Sequence, residues 1–357
     1  MKILVTGNLG YVGPGVVRHL RGAHPDATIA GLDTGYFAHC LTGAPAVPER
    51  LLDAQVYADV RTVDRDVLDG VDAVVHLAGI SNDPIGNLFE DLTLEVNHGG
   101  TVRLARMAKE AGARAFVFAS SCSIYGQADD TPRDETSELG PLTAYARSKA
   151  LSERDLAPLA GDGFTVTALR FSTACGMSDR LRLDLVLNDF VAGAIASGRI
   201  EILSDGTPWR PLIHVSDMAR AIEWAVTRES GNGGDFLAVN VGTDEWNYQV
   251  RQLADAVARA VPGTTVSVNE NAAPDKRSYR VSFGLYRQLA PDHQPQVGLD
   301  DAVVELRDGL TRMGFRDADF RTSTLMRLRA LEGLRDKGLL GPDLAWKVDS
   351  KVGLTAS

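Results

Sequence analysis

Over its first half the chain alternates short apolar runs with longer amphipathic stretches. Ile3-Leu4-Val5 and the runs at 28–32 (TIAGL), 71–78 (VDAVVHLA), 115–120 (AFVFAS) and 165–171 (TVTALRF) place apolar residues at successive positions. A strand with one wet face alternates apolar and polar, whereas a strand covered on both faces does not. These runs therefore predict a parallel sheet buried between two layers of helix. Helical spacing fills the gaps at 14–21, 93–111 and 145–157. Repetition of strand, helix, strand predicts an α/β class with a doubly wound parallel sheet.

Beyond about residue 175 the pattern loosens. An amphipathic helix at 183–197 precedes a loop, SDGTPWRP at 204–211, and a helix follows from near Asp217 with Ser216 as its N-cap. FLAVNVG at 236–242 reads as one more buried strand, and helix, short strand and loop mix from there to about 310. The expected organisation is a sheet domain over 1–175 plus about 212–245. A smaller mixed α/β domain takes about 176–211 and 246–316, and 317–357 forms a charged, helical tail.

Composition narrows the function classes. Of 357 residues, 44% are apolar and 24% charged, as in ordinary globular proteins. The apolar runs are too short to cross a bilayer, so no membrane span is expected. Lys2 is followed by only three apolar residues before Thr6-Gly7, which does not read as a signal peptide. The three cysteines, Cys40, Cys122 and Cys175, are odd in number and scattered. They suggest neither a disulfide framework nor a metal site, and a cytoplasmic setting is expected. The net charge of −10 comes without a Lys/Arg run, against a nucleic-acid partner. An anionic ligand would need loop amides and individual arginines.

The first strand supplies such a loop. ILVT runs into Gly7-Asn8-Leu9-Gly10-Tyr11-Val12-Gly13 and a helix follows. The first glycine permits the tight turn, the second lets amides approach a pyrophosphate, and the third lets helix and strand pack closely. The second strand ends in Asp33, twenty residues after Gly13, where a carboxylate meets ribose hydroxyls. Strand, glycine triplet, helix and acid together make a Rossmann dinucleotide site. A carboxylate accepts from a ribose 2′-OH and repels a 2′-phosphate, so NAD is favoured over NADP.

A second constellation carries chemistry. Tyr145-Ala-Arg-Ser-Lys149 places a phenol and an ammonium on one helix face. A free tyrosine, with a pKa near ~10, is a poor base at neutral pH. A neighbouring cation stabilises its phenolate and makes it a usable acid/base. Strand AFVFA ends in Ser120-Ser121-Cys122-Ser123-Ile124-Tyr125-Gly126, which puts hydroxyls beyond the carboxyl end of a parallel strand, where ligands bind.

Taken in order, TGxxGxxG at 6–13, HLAG at 76–79, Asn97, SSCSIYG at 120–126 and YARSK at 145–149 resemble the extended short-chain dehydrogenase/reductases. The match is to the NAD-dependent nucleotide-sugar epimerase/dehydratase family, over roughly residues 1–310. The resemblance implies that Gly7, Gly10, Tyr11, Val12, Gly13, Asp33, Asp59, Val60, Leu77, Ala78, Gly79 and Asn97 hold the cofactor. It implies that Ser121, Tyr145 and Lys149 are catalytic, with the latter two also at the cofactor. Ser121, Ser123, Tyr145, Thr173, Asn188, Arg210 and Arg277 would meet a nucleotide-diphosphate sugar, the two arginines at its phosphates. The family's LRxxNxYG reads LRFSTACG here, with Thr173 and Cys175 in place of asparagine and tyrosine. A homodimer through the helices at 93–111 and 145–157 is implied as well.

Family 4,6-dehydratases carry Asp-Glu directly after the catalytic hydroxyl; here the pair is Cys122-Ser123. The glutamate of the family decarboxylases is also absent from this segment. The expected reaction is therefore C4 epimerisation through a transient 4-keto sugar, with NAD tightly bound. A 4-ketoreductase would use the same residues and exchange its cofactor. A dinucleotide sensor or scaffold would keep the glycine loop with no need for serine, tyrosine and lysine together.

Overall fold

In the computed structural model, residues 1–81, 83–126, 131–269, 271–272 and 278–347 are described. Twelve strands occur among them: β1 (Lys2–Thr6), β2 (Thr28–Asp33), β3 (Ala54–Tyr57), β4 (Ala73–His76), β5 (Ala115–Ser121), β6 (Thr165–Phe171), β7 (Thr173–Cys175), β8 (Arg199–Ile202), β9 (Trp209–His214), β10 (Phe236–Val241), β11 (Asn247–Gln249) and β12 (Thr265–Val268). Seven build a wholly parallel sheet in the order β10-β6-β5-β4-β1-β2-β3. A three-stranded sheet, β11-β9-β7, and a β12-β8 pair stand apart from it.

The helices are α1 (Gly13–Ala23), α2 (Asp83–Leu88), α3 (Glu90–Leu94), α4 (Thr101–Glu110), α5 (Ala144–Leu156), α6 (Val186–Ser197), α7 (Val215–Thr227), α8 (Val250–Ala260), α9 (Gly284–Leu289), α10 (Leu299–Arg312) and α11 (Arg327–Asp336). Alternate residues of each central strand feed two separate cores. Ile3, Val5, Ile29, Val75 and Val117 pack with Val16 and Leu20 of α1 and Ile222 of α7. Leu4, Leu32, Val74, Phe116 and Phe118 pack with Leu104 and Ala108 of α4 and Leu156 of α5. Burial on both faces is what makes the strand sequences continuous runs. β1 lies between β2 and β4, so the connections leave it in opposite directions and open a crevice beyond the strand ends.

Several expectations are corrected. The helical stretch at 93–111 is broken: α3 stops at Leu94, a π turn spans Glu95–Gly100, and α4 follows. There the Asn97 carbonyl accepts from the hydroxyls of Thr101 (2.5 Å) and Ser152 (3.2 Å). Ser216 is not the N-cap of α7; His214 is, its ring accepting from Ser216 N, and the helix begins at Val215. The helix expected from 183 begins at Val186, because the backbone at Leu185 is still extended, with φ −110° and ψ 134°. Trp209 and Arg210 lie not in a loop but on β9, with Arg210 opposite Tyr248 of β11.

In the described part of the tail, 317–347, α11 is helical and its apolar side chains are packed. Leu331 and Leu334 of α11, with Leu340 and Leu344, pack on Ile80, Ile85 and Leu92. All three cysteines are buried and unpaired as disulfides. Among the described residues no helix is long and apolar enough to cross a membrane, and no cluster of His, Cys, Asp and Glu could hold a metal ion.

Candidate active site

The loop between β1 and α1 is shaped by what its glycines lack. Gly7 has φ +74°, and a Cβ there would lie 2.5 Å from the amide nitrogen of Ala78. A Cβ on Gly13 would lie 2.3 Å from the carbonyl of Asn8. Side chains at either position would push the loop off β4 or the helix off the loop. Gly10 N closes the turn on Gly7 O at 3.1 Å. α1 starts with no side-chain cap, so its first amides face the cleft with only the loop around them. Such a helix start can take an anion on backbone amides.

Asp33 ends β2 with its carboxylate accepting from Leu9 N (3.0 Å) and Gly35 N (2.7 Å). Burial raises its pKa, and those two bonds oppose the rise. Asp59 is gripped by Arg61, whose Nη2 sits 2.6 Å from Oδ2. Gly7, Gly10, Tyr11, Val12, Gly13 and Asp33 line one cavity of about 850 Å³ together with Asp59, Val60, Leu77, Ala78 and Gly79. Ser121, Ser123, Tyr145, Lys149, Thr173 and Arg210 line that same cavity.

Thr143 caps α5 through its hydroxyl, which accepts from Ala146 N at 3.2 Å. The cap starts the helix one residue before Tyr145. Lys149 follows one turn later, with Nζ 5.6 Å from the Tyr145 ring centroid and 4.7 Å from that of Phe118. Its Nζ donates to Ala119 O at 2.6 Å. Burial lowers the Lys149 pKa to about 8, against the opposing pull of Glu153. Ser121 ends β5, and its hydroxyl accepts from Ser123 N at 3.1 Å. The Ser123 hydroxyl is buried without a partner. Behind this group lies a closed polar network: Glu153 accepts from Ser120 (2.5 Å) and pairs with Arg170 (2.7 Å), and Arg170 donates to Tyr125 (3.0 Å).

Two expected contacts lie off the cleft. Asn97 spends its amide on the backbone of Ile80 and on Ser148, tying the loop after β4 to α5. Asn188 is fully buried, accepting from Gly176 N and donating to Tyr11 Oη and Arg182 O. Each braces cleft residues from behind. Arg277 lies outside the described residues.

Three cleft residues escaped the sequence reading. Arg182 pairs with Asp184 (2.9 Å), donates to Ser81 Oγ (2.9 Å), and feels the Tyr145 phenol electrostatically. All three line the cavity. The available signal was RLRLD at 180–184, whose Leu181 and Leu183 are fully buried while Arg180 and Arg182 are nearly so. Charges in a buried run need paired partners.

The cradle that added Cβ atoms would fill, the uncapped helix start and the acid at the end of β2 together suit a dinucleotide. Gly7, Gly10 and Gly13 would hold its pyrophosphate and Asp33 its adenosine ribose.

Known proteins carry the same pattern. The family model described as the NAD dependent epimerase/dehydratase family matches residues 3–242. A UDP-glucose 4-epimerase of Streptomyces lividans is 31% identical over 283 residues, covering 72% of this chain and 80% of that protein. A dTDP-glucose 4,6-dehydratase of Streptomyces griseus is 29% identical over 310 residues, covering 85% and 92%. Among solved structures, the UDP-glucose-4-epimerase from Stenotrophomonas maltophila with bound NAD and formylated UDP-arabinopyranose superposes with a TM-score of 0.74 at 22% identity, over 88% of this chain and 99% of that one. Motif order, cleft and likeness over most of the chain agree: this protein belongs to the NAD-dependent epimerase/dehydratase family, and NAD is its cofactor.

Proposed function

We propose that the protein epimerises a nucleotide-diphosphate sugar at C4, with NAD retained through the cycle. The observation that carries this reading is what surrounds Ser121. Tyr145, Lys149 and Ser121 line one cleft, yet the two positions after Ser121 offer no carboxylate. Cys122 is fully buried, its thiol donating to Arg170 O at 3.0 Å and its pKa pushed up by burial. Ser123 offers only a hydroxyl. Elimination across C5 and C6 needs a second acid and base, and this segment supplies neither.

Bound NAD supplies the hydride acceptor and donor for C4. The chain's part is proton handling and placement. Tyr145, as phenolate, takes the proton of the sugar 4-OH and later returns it. The Lys149 ammonium favours that phenolate. Ser121 hydrogen-bonds the same sugar oxygen. Between the two proton transfers the sugar is a 4-keto species that must turn within the site, and Ser123, which lines the cleft, would help position it. Arg210, which lines the cleft, would meet the diphosphate with charge-assisted bonds. That answers how a chain of net charge −10 holds so anionic a ligand. Pairing of two copies through the helices at 93–111 and 145–157 belongs to the same proposal, and light scattering tests it.

The deciding assay offers UDP-, dTDP-, GDP- and CDP-sugars to purified protein without added cofactor. Isomerisation with stoichiometric NAD released on denaturation supports the epimerase. Turnover that requires added NAD(P)H replaces it with the ketoreductase, and loss of water from the sugar replaces it with a dehydratase.

A further inference from the structure

The chain beyond α10 returns to the dinucleotide cleft and bridges its walls. Arg321 pairs with Asp189 of α6 at 2.7 Å. Leu325 O accepts from Leu183 N at 3.0 Å. Arg327 donates to Arg180 O at 2.7 Å and lies 4.8 Å over the Phe37 ring. α11 then carries the chain to a tight turn closed by Gly341 N on Ala345 O at 2.8 Å, with Leu344 at φ +59°. An L-residue adopts that φ at a cost, so contacts rather than local preference hold the turn.

Those contacts fall beside the two acids of the adenosine end. Tyr36 Oη donates to Leu344 O at 2.6 Å, and Trp346 Nε1 donates to Thr34 O at 2.6 Å. Arg61, the partner of Asp59, also donates to Asp343 O at 3.1 Å. Thr34 and Tyr36 lie one and three residues after Asp33. Met326, Arg327, Leu331 and Leu344 line the same cavity as the glycine loop.

We infer that residues 317–347 form a strap that encloses the adenosine half of bound NAD and slows its release. The inference rests on NAD as cofactor and not on the sugar reaction. For the dinucleotide to leave, the Tyr36, Trp346 and Arg61 bonds must part and the apolar cluster of Leu331, Leu334, Leu340 and Leu344 must lift from Ile80, Ile85 and Leu92. The bonds to Thr34, Tyr36 and Arg61 lie at the adenosine end, while Arg321 reaches Asp189 of α6.

Trp346 does not line the cavity; it ties the strap to the cleft wall at Thr34 O and at the Tyr36 ring. NAD release from the full-length protein is timed by dilution into an NAD-consuming dehydrogenase, without sugar, for the native chain and for Trp346→Ala. Release at least tenfold faster in the variant supports the strap. A folded variant that releases at the native rate overturns it. In parallel, hydrogen exchange of residues 339–347 in the native chain is followed with and without saturating NAD. At least tenfold slowing by NAD supports the strap, and unchanged exchange overturns it, so the question is decided even where the variant does not fold. A chain that holds NAD this way yet isomerises no sugar would sink the proposed reaction alone.

Discussion

At the pyrophosphate end of the cleft the chain presents backbone, and at the sugar end it presents side chains. Gly7, Gly10 and Gly13 contribute amides and the absence of Cβ atoms, and α1 contributes an uncapped start. At the other end Tyr145, Lys149, Ser121, Ser123, Arg182 and Arg210 contribute phenol, ammonium, hydroxyl and guanidinium groups. The backbone end recognises what every dinucleotide shares. On the proposed function, the side-chain end would decide which sugar enters and what happens to it. A backbone site is damaged only by added bulk, while a side-chain site is altered by any exchange of chemistry.

That contrast can be broken at either end. The largest effect is expected from Tyr145→Phe, which removes the proton carrier and leaves the ring. A fall in kcat of roughly 10²–10⁴-fold is expected, from steady-state assay on the true substrate. Full activity would show that the side-chain end does not do the chemistry. Next comes Gly7→Ala, which puts a methyl 2.5 Å from the Ala78 amide at a positive φ. Strain of about 1–3 kcal/mol weakens NAD binding roughly 10- to 100-fold, read by titration calorimetry.

Lys149 links chemistry to stability. With its pKa at about 8, its charge is lost above that pH, so kcat should fall roughly tenfold per pH unit on the alkaline side. The folded pKa lies below the unfolded value of ~10.4. The cost of burying the charge is therefore fully present below about pH 8 and is relieved as pH rises toward that of the free lysine. Lys149→Met should abolish most activity yet raise stability at pH 7 by roughly 1–2 kcal/mol, after the lost bond to Ala119 O is counted. Chemical denaturation at pH 7 and pH 10 checks this, and the gain should shrink at the higher pH. The smallest effect is expected from Arg210→Ala: a KM for the nucleotide sugar about tenfold higher with kcat little changed, as for loss of one charge-assisted bond. A fall in kcat alone would move Arg210 from binding to chemistry.

The sequence showed best what depends on neighbours along the chain. The five apolar runs at 3–5, 28–32, 71–78, 115–120 and 165–171 all contain sheet strands, because burial on both faces writes itself into consecutive residues. β3 was not legible: its four residues, AQVY, are only partly buried at the sheet edge. Tyr145 and Lys149 share a helix face by spacing alone. Arg182 and Ser81 meet across 101 positions, and no local pattern brings them together. Asn188 is the converse case: the resemblance implied a substrate contact, and its amide is bonded to Tyr11, Arg182 and Gly176. The π turn at Glu95–Gly100 follows from bonds to Ser152 and Ile80, outside its own segment.

The bond between Tyr36 and Leu344 spans 308 positions, and it sets an order of events during synthesis. Tyr36 and the glycine loop leave the ribosome long before Leu344 is made. The dinucleotide crevice between β2 and β4 is therefore assembled while the strap does not yet exist. If the strap closes as inferred, cofactor would load most freely before residues 317–347 are made. On that inference, a chain cut before α11 would keep its sheet strands and its glycine loop but release NAD faster.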